Sequence, residues 1–337
     1  MIVTPNLVHG PAPLVVLAVV LGGSLGGFTA GAQFAARTEL VEVYVSVADT
    51  AGRPVDSLTK ERFHVRDNRA ERPIAAFTAG SLPLAMAVVV DRSFSMRGPR
   101  LASARAGALR LLETLRSDDR VDVLAIGSEI ETVAAGDASR EAAREAVRDL
   151  TPWGTSPIVD AIRAASAAVH GRPGRRAIVL FTDGEDRDDE TSRRDALEAV
   201  RRSDALVYAV AVGGSAPTLL EEFASASGGR VIRASDDRAA VEASAAIAAD
   251  LQHQYLLGVP PADGPPGWHV LSVTVDVPQA MVRARQGYVL EARPSGASLE
   301  PPAASNLQGC RAERTPDEAA FLHRGTPGSR GTMPLGL

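Results

Sequence analysis

Five side chains that carry oxygen ligands lie in three separate loops of the sequence: Asp91, Ser93, Ser95, Thr155 and Asp183. All are hard oxygen donors without nitrogen or sulfur, so the set favours Mg²⁺, Mn²⁺ or Ca²⁺ over zinc or copper, and Mg²⁺ is the expected ion. Two carboxylates and a few hydroxyl groups leave the coordination shell of such an ion incomplete. The open position suits an anionic oxygen, most simply the Asp or Glu carboxylate of a partner protein.

The elements around these residues predict how distant loops come together. Between Leu84 and Leu251, short apolar runs alternate with longer helical patterns, which predicts an α/β fold with a doubly wound, mostly parallel six-stranded sheet. The strand EIETVA is expected at an antiparallel edge. LAMAVVVD ends at Asp91 and RAIVLFTD ends at Asp183. Because ligands bind beyond the carboxyl ends of such strands, where the strand order reverses, we expect both carboxylates at one rim.

Ordinary turn chemistry offers a competing interpretation of these residues. Serine and threonine cap helices, and aspartate commonly follows a strand, without any metal. Near them, Phe94, Trp153, Glu185 and Asp186 are candidate contacts for a partner protein. Trp153 could instead pack under its loop. The acidic run that contains Glu185 and Asp186 could be a solvated surface, a second cation site or a selector of basic partners.

Composition and spacing argue against several classes of function. With 36 basic and 41 acidic residues the net charge is -5, which disfavours nucleic-acid binding through a basic face. The turn DRSFSMRG matches neither common phosphate-binding loop, so a nucleotide site is disfavoured. The 6 histidines are scattered without metal-ligand spacing, and the single cysteine, Cys310, permits no intramolecular disulfide. A zinc hydrolase is therefore not expected.

The two ends of the chain differ from the middle. Residues 14–21 are apolar and residues 30–32 supply an A-x-A pattern, so residues 1–32 are predicted to be a signal peptide cleaved before Gln33. The alternative is an uncleaved anchor over residues 14–32, which would be the chain's one contact with a membrane. Both interpretations place the protein outside the cytoplasm, secreted or in the periplasm or cell envelope. Residues 293–337 are rich in Pro, Gly, Ser and Ala and are expected to be disordered.

The segments that flank the central pattern predict a second, smaller unit. Residues 33–82 and 253–292 contain alternating runs typical of half-buried strands. LVEVYVSV is one strand, residues 58–77 are interpreted as a loop and two strands, and residues 254–290 give two or three more. We expect these strands to pair into a small β-sandwich into which the central domain, residues 83–252, is inserted.

Three motifs follow one another along the central domain: DxSxS at residues 91–95, GTS at residues 154–156 and FTDGED at residues 181–186. In this order they resemble the von Willebrand factor type A domain and its metal-ion-dependent adhesion site. The resemblance covers about half of the chain. It implies that Ser93 and Ser95 bind the metal directly and that Thr155 binds it directly or through water. Asp91 and Asp183 would complete the shell.

One residue departs from the family pattern, and two flanking motifs make the resemblance narrower. Phe94 stands where the family usually has glycine. The flanks, with YLLG at residues 255–258 and RQGY at residues 285–288, are similar to bacterial secreted VWFA-related proteins of the Acidobacteria type. We expect the tyrosines of both motifs to be core residues of the sandwich.

These features together predict an exported module that binds a partner protein through a divalent cation. An alternative is a structural or assembly subunit of a cell-envelope complex, in which the metal is a fixed contact. A metal-assisted hydrolase is disfavoured because the rim offers no positioned histidine and its serines would be metal ligands, so we expect no enzymatic activity. By the resemblance, the closing helix, residues 237–253, could slide as the affinity changes.

Overall fold

The structure is a computed structural model that describes residues 40–80, 82–136, 138–184, 190–213 and 217–291. The predicted signal or anchor segment, the predicted tail with Cys310, and both Glu185 and Asp186 lie outside these ranges. Among the described residues, no helix has both the length and the apolar character needed to cross a bilayer.

The described residues form strands and α-helices that are numbered here in chain order. The strands are β1 (Val41–Ala48), β2 (Phe63–Asp67), β3 (Ala70–Arg72), β4 (Ala76–Ala79), β5 (Leu84–Asp91), β6 (Arg120–Ile126), β7 (Ile130–Ala134), β8 (Arg175–Thr182), β9 (Leu206–Val212), β10 (Val231–Ala234), β11 (Tyr255–Val259), β12 (Gly267–Val275), β13 (Met281–Ala284) and β14 (Gly287–Leu290). The helices are α1 (Pro99–Thr114), α2 (Arg140–Arg148), α3 (Ile158–Val169), α4 (Glu190–Ser203), α5 (Thr218–Ser227) and α6 (Asp237–Gln252).

The central sheet has the strand order β10-β9-β8-β5-β6-β7. Its strands are parallel except for β7, which pairs antiparallel with β6 at the edge. The doubly wound, mostly parallel six-stranded sheet predicted from the sequence is therefore confirmed, including its antiparallel edge strand. Because β5 and β8 are parallel neighbours, with Val90 opposite Phe181, Asp91 and Asp183 leave the sheet at the same edge.

Strand β5 shows how this sheet divides the core. All of its residues are buried, and successive side chains of a strand point to opposite faces. Met86, Val88 and Val90 pack into a cluster that includes buried residues of α1, α2 and α6. Ala87 and Val89 pack into a second cluster with α3, α4 and α5. Helices therefore cover both faces, and strands buried on both faces are near-continuous apolar runs in the sequence.

The flanking strands form a β-sandwich of two four-stranded sheets, with the orders β13-β1-β11-β4 and β14-β12-β2-β3. Their facing side chains share one apolar core, in which Val43 and Leu257 of the first sheet meet Phe63 and Leu271 of the second. Tyr255 and Tyr288 are also buried in this core, as predicted. The central domain lies between β4 and β11 in the chain. Since β4 ends just before β5 begins, the sandwich joins the sheet at the edge opposite Asp91.

The sandwich has more strands than the sequence indicated. Residues 58–77 contribute to three strands instead of two, and residues 254–290 form four instead of two or three. The additional strands arise where the chain passes from one sheet to the other. Pro73, which has no N–H to donate, separates β3 from β4. Between β13 and β14, the N–H of Gln286 donates to the carbonyl of Ala226 in α5, which interrupts the strand.

Candidate metal-binding site

Asp91 is the buried centre of the candidate site. It ends β5 and is 0% exposed. Its Oδ2 accepts hydrogen bonds from the hydroxyls of Ser156 and Thr182, both at 2.7 Å, and its Oδ1 accepts one from the Ser93 N–H at 2.9 Å. Burial raises the pKa of Asp91, and the hydrogen bonds from Thr182, Ser156 and Ser93 oppose this shift. A buried carboxylate is thus held in place by the turn after β5, the loop before α3 and the end of β8.

The turn after β5 brings two serine hydroxyls together. Ser93 is buried, and its Oγ lies 3.0 Å from the Oγ of Ser95. Ser93 precedes a short 3₁₀ helix, Phe94–Met96, but its side chain makes no capping hydrogen bond. The residue before α3 is Pro157, so neither Thr155 nor Ser156 is the capping residue of that helix. Ser93, Thr155 and Ser156 therefore do not cap these helices, whereas the bond from the Ser93 N–H to Asp91 Oδ1 is the ordinary turn hydrogen bond that the competing interpretation expects.

The loop that carries Thr155 is tied to the turn after β5. The Phe94 N–H donates to the Gly154 carbonyl at 3.0 Å, and the Trp153 N–H donates to the Arg92 carbonyl at 2.7 Å. Gly154 has a φ of +77°, and a Cβ there would lie 2.1 Å from the backbone nitrogen of Ser128. Only glycine fits this close approach. Thr155 itself is exposed on the loop, beside the serine whose hydroxyl bonds Asp91.

Asp183 is the second carboxylate at the rim and is also buried. Its Oδ2 accepts a hydrogen bond at 2.8 Å from Nη1 of Arg100, a residue of α1. The same Nη1 lies 3.3 Å from the carbonyl oxygen of Ser95. An arginine therefore lies between two of the predicted metal ligands.

Two large apolar side chains are exposed beside these groups, Phe94 at 55% and Trp153 at 42%. The guanidinium of Arg97 lies 5.2 Å from the centre of the Phe94 ring, and that of Arg92 lies 5.2 Å from the centre of the Trp153 ring. Trp153 also covers Gly127, where a Cβ would lie 2.2 Å from its ring. One face of the Trp153 ring thus packs on the backbone and part of the ring reaches solvent; its contact with a partner protein stays a prediction.

The donor set fits a hard divalent cation. Within the described residues no cluster of three or more His, Cys, Asp or Glu is present that could hold a metal. A cation at this rim would accordingly use hydroxyl oxygens together with the two aspartates. Mg²⁺ accepts such a set, since it binds through one or two carboxylates and keeps other positions for water or substrate oxygens. Ser93, Ser95, Thr155, Asp91 and Asp183 are the residues that would hold it.

Three residues at the site were not singled out from the sequence: Ser156, Thr182 and Arg100. Ser156 and Thr182 lie inside the GTS and FTDGED motifs, so their positions next to predicted ligands were a usable signal. Arg100 had no such signal, because its pairing with Asp183 joins residues that are 83 positions apart.

A doubly wound α/β domain with oxygen donors at the carboxyl edge of its sheet defines a class of ligand-binding domains. Residues 86–185 match the family model described as von Willebrand factor type A domain. Residues 86–185 of the six-stranded domain thus carry the match to the von Willebrand factor type A domain that the motifs predicted. Domains of this family generally mediate protein–protein interaction.

Two curated relatives share part of this sequence. The chain is 32% identical over 158 residues to calcium-activated chloride channel regulator 1 of Equus caballus. The aligned region covers 44% of this chain and 17% of that protein. It is 31% identical over 116 residues to an uncharacterized protein of Synechocystis sp., covering 33% of this chain and 28% of that protein. The chain thus spans less than a third of the length of these relatives.

Among solved structures, a von Willebrand factor type A protein from Catenulispora acidiphila is similar, with a TM-score of 0.47 and 15% identity. The similarity covers 76% of this chain and 75% of that one.

Proposed function

We propose that this chain is a non-catalytic binding module that holds a divalent cation, most simply Mg²⁺, and uses it to bind a partner protein. The observation that supports this best is the convergence of Asp91, Ser93, Ser95 and Asp183 at one rim, although Asp183 comes from a loop distant in sequence from that of the others. The bound cation would supply a positive charge that accepts an oxygen ligand from outside the chain. The chain's own residues fix the donor positions and surround them with exposed aromatic rings.

A carboxylate of the partner suits the open position for an electrostatic reason. Hydroxyl groups carry no charge and two aspartates leave the coordination shell of a divalent ion incomplete, so a position stays open for an outside oxygen, and an anionic carboxylate oxygen binds a hard cation more strongly than a neutral one. Phe94 and Trp153, exposed beside the donors, offer the apolar area that stabilises protein interfaces. We assign Glu185 and Asp186 to the same proposed contact surface because they closely follow Asp183 in the sequence.

We place this module outside the cytoplasm, in the cell envelope or secreted. The support is the apolar run at residues 14–21 followed by the A-x-A pattern at residues 30–32. The alternative function, a structural subunit of a cell-envelope complex, would have the same location. It differs from the binding module in that its cation would be a permanent contact and would not exchange.

We also propose that the site does not catalyse. In the proposed site the hydroxyls of Ser93 and Ser95, 3.0 Å apart, would bind the cation and would not be available as nucleophiles. Asp91, which the Ser93 side chain also contacts, is buried and accepts hydrogen bonds from Ser156, Thr182 and the Ser93 N–H, so its oxygens are engaged within the protein.

Calorimetric titration of Mg²⁺ into the chelator-stripped full chain tests the metal site. We expect one site in the wild type and none in Ser93→Ala. The matched control is Ser166→Ala, which removes another buried serine hydroxyl from α3, away from the rim. Equal Mg²⁺ binding by Ser93→Ala and the wild type would overturn the proposed ligand set.

A second experiment separates exchangeable from fixed binding. Once a partner is found by crosslinking on the cell surface, its complex should dissociate in chelator and fail to form with Asp183→Ala. A complex that survives chelator and tolerates Asp183→Ala would favour the structural-subunit function. Turnover of an ester, glycan or peptide that Asp183→Ala abolishes would contradict the non-catalytic proposal.

A further inference from the structure

Arg100 occupies an unusual place for a cationic side chain. It lies in the first turn of α1, and this turn contains no acidic residue. The helix dipole is positive at this end, so an arginine there is disfavoured by about 0.3–1 kcal/mol. Its contacts offset this: Nη1 donates to Asp183 Oδ2 at 2.8 Å and approaches the Ser95 carbonyl at 3.3 Å. The position of Arg100 is thus explained by the anionic rim and not by its helix.

The end of β9 leaves room for this side chain. Gly213 follows β9 with a φ of +88°, and a Cβ built on it would lie 3.1 Å from Nε of Arg100. The guanidinium therefore rests against a backbone that carries no side chain. The Arg100 side chain is 42% exposed, whereas that of Asp183 is only 4% exposed. Asp183 is thus enclosed by the protein, whereas a large part of the Arg100 side chain faces solvent.

The charges make Arg100 and a divalent cation competitors. Two unit charges at about 4 Å interact by about 4 kcal/mol at the effective dielectric constant near a protein surface, and a doubly charged ion doubles this repulsion. A cation that binds Asp183 and the hydroxyl of Ser95 would lie beside the guanidinium that already contacts both residues. Solvent screening reduces the penalty but does not change its sign.

We propose that Arg100 is the resident cation of the metal-free site and that a divalent cation binds by displacing its guanidinium from Asp183. This inference rests on the proposed metal-binding function and adds to it. Arg100 sets the metal affinity: it offsets the charge of Asp183 when no metal is bound, so the site loads at a higher metal concentration than it would without the arginine. The loaded site then has its guanidinium turned to solvent, next to the position where a partner carboxylate binds.

The test is calorimetric titration of Mg²⁺ into the full chain, comparing wild type, Arg100→Ala and Arg97→Ala. Arg97 is exposed on the same rim and contacts the Phe94 ring, so its removal deletes one positive charge without touching Asp183. We expect Arg100→Ala to bind Mg²⁺ about fivefold to tenfold more tightly than wild type, from the loss of one partly screened ion pair. Arg97→Ala should change the affinity by less than about twofold. Arg100→Lys, which keeps the charge, should stay close to wild type.

A second readout follows the ion pair without metal. In chelator, Arg100→Ala should lower the melting temperature, and this loss should vanish in an Asp183→Asn background, where the partner charge is absent. Saturating Mg²⁺ should abolish the difference between Arg100→Ala and wild type.

The possible failures are distinguishable. Unchanged or weaker Mg²⁺ affinity in Arg100→Ala, with wild-type binding intact, overturns the competition while leaving the proposed function. An equal gain in Arg97→Ala also overturns it, because general charge would then suffice. Absence of Mg²⁺ binding in both wild type and Arg100→Ala overturns the metal-binding proposal and this inference with it. Binding by Arg100→Ala alone would be the extreme form of the expected result.

Discussion

Replacing Gly154 by alanine should disable the site while leaving the rest of the fold in place. Gly154 and Gly171 have similar positive φ values, +77° and +70°. A side chain in that conformation costs about 1–2 kcal/mol at either position. The two glycines differ in their surroundings. At Gly171 a Cβ would meet nothing within 4 Å, whereas at Gly154 it would lie 2.1 Å from the Ser128 nitrogen and 2.8 Å from the Gly127 carbonyl carbon.

These distances set the expected magnitudes. Backbone atoms cannot rotate away, so the loop that carries Gly154 must shift, and such overpacking adds about 1–3 kcal/mol. We expect Gly171→Ala to lower the free energy of unfolding by about 1–2 kcal/mol and Gly154→Ala by about 2–5 kcal/mol. The shift would also break the 3.0 Å hydrogen bond between Phe94 and Gly154 and move the hydroxyl of Ser156 away from Asp91.

The assay is urea unfolding in chelator followed by far-ultraviolet circular dichroism, together with Mg²⁺ titration. Gly154→Ala should lose Mg²⁺ affinity by more than about tenfold, since a misplaced loop withdraws Thr155 and loosens Asp91. Gly171→Ala, at the far end of α3, should bind Mg²⁺ like the wild type. Equal free energies of unfolding for the two variants, or wild-type Mg²⁺ affinity in Gly154→Ala, would refute the reasoning.

Three further substitutions test other parts of the molecule. Gly107→Ala should lower the free energy of unfolding by about 1–2 kcal/mol, although alanine is the better helix former. The reason is that its Cβ would lie 2.7 Å from the Phe181 ring. A higher urea midpoint in the variant would contradict this packing. In chelator, the stability of Asp91→Asn relative to wild type should improve as the pH rises. Burial raises the pKa of Asp91 above its unfolded value, so its contribution to stability is present at low pH and is lost as the pH rises through the folded-state pKa, whereas the amide does not titrate; urea unfolding across this range checks the sign, and a difference that is independent of pH or that widens as the pH rises would oppose it. In His64→Gln, the deficit in stability relative to wild type should shrink as the pH rises from mildly acidic to mildly alkaline. The hydrogen bond to Asp276 raises the pKa of His64, so the stabilising contribution fades as the pH passes the folded-state pKa; a deficit independent of pH would count against it.

Much of the central domain could be predicted because its strands have an unambiguous pattern. LAMAVVVD and RAIVLFTD are buried on both faces, so nearly every residue is apolar, as expected of central strands in a sheet covered by helices. The parallel arrangement then brings their carboxyl ends to one edge, which is why the strand pattern alone places Asp91 and Asp183 together. The strand count of the sandwich was wrong, because the chain changes sheets at Pro73 and again at Gln286 without a change of hydrophobic pattern.

The sequence by itself determined which oxygen donors this rim carries and on which edge of the sheet they lie. Only the tertiary structure decided their partners: the hydroxyls of Ser156 and Thr182 on Asp91, and the guanidinium of Arg100 on Asp183. The physical reason is that hydrophobic periodicity reports which face of an element is buried, and burial follows from local sequence. The direction of a polar side chain in a loop depends on hydrogen bonds between segments far apart in the chain, and those bonds exist only when the strands and helices are assembled.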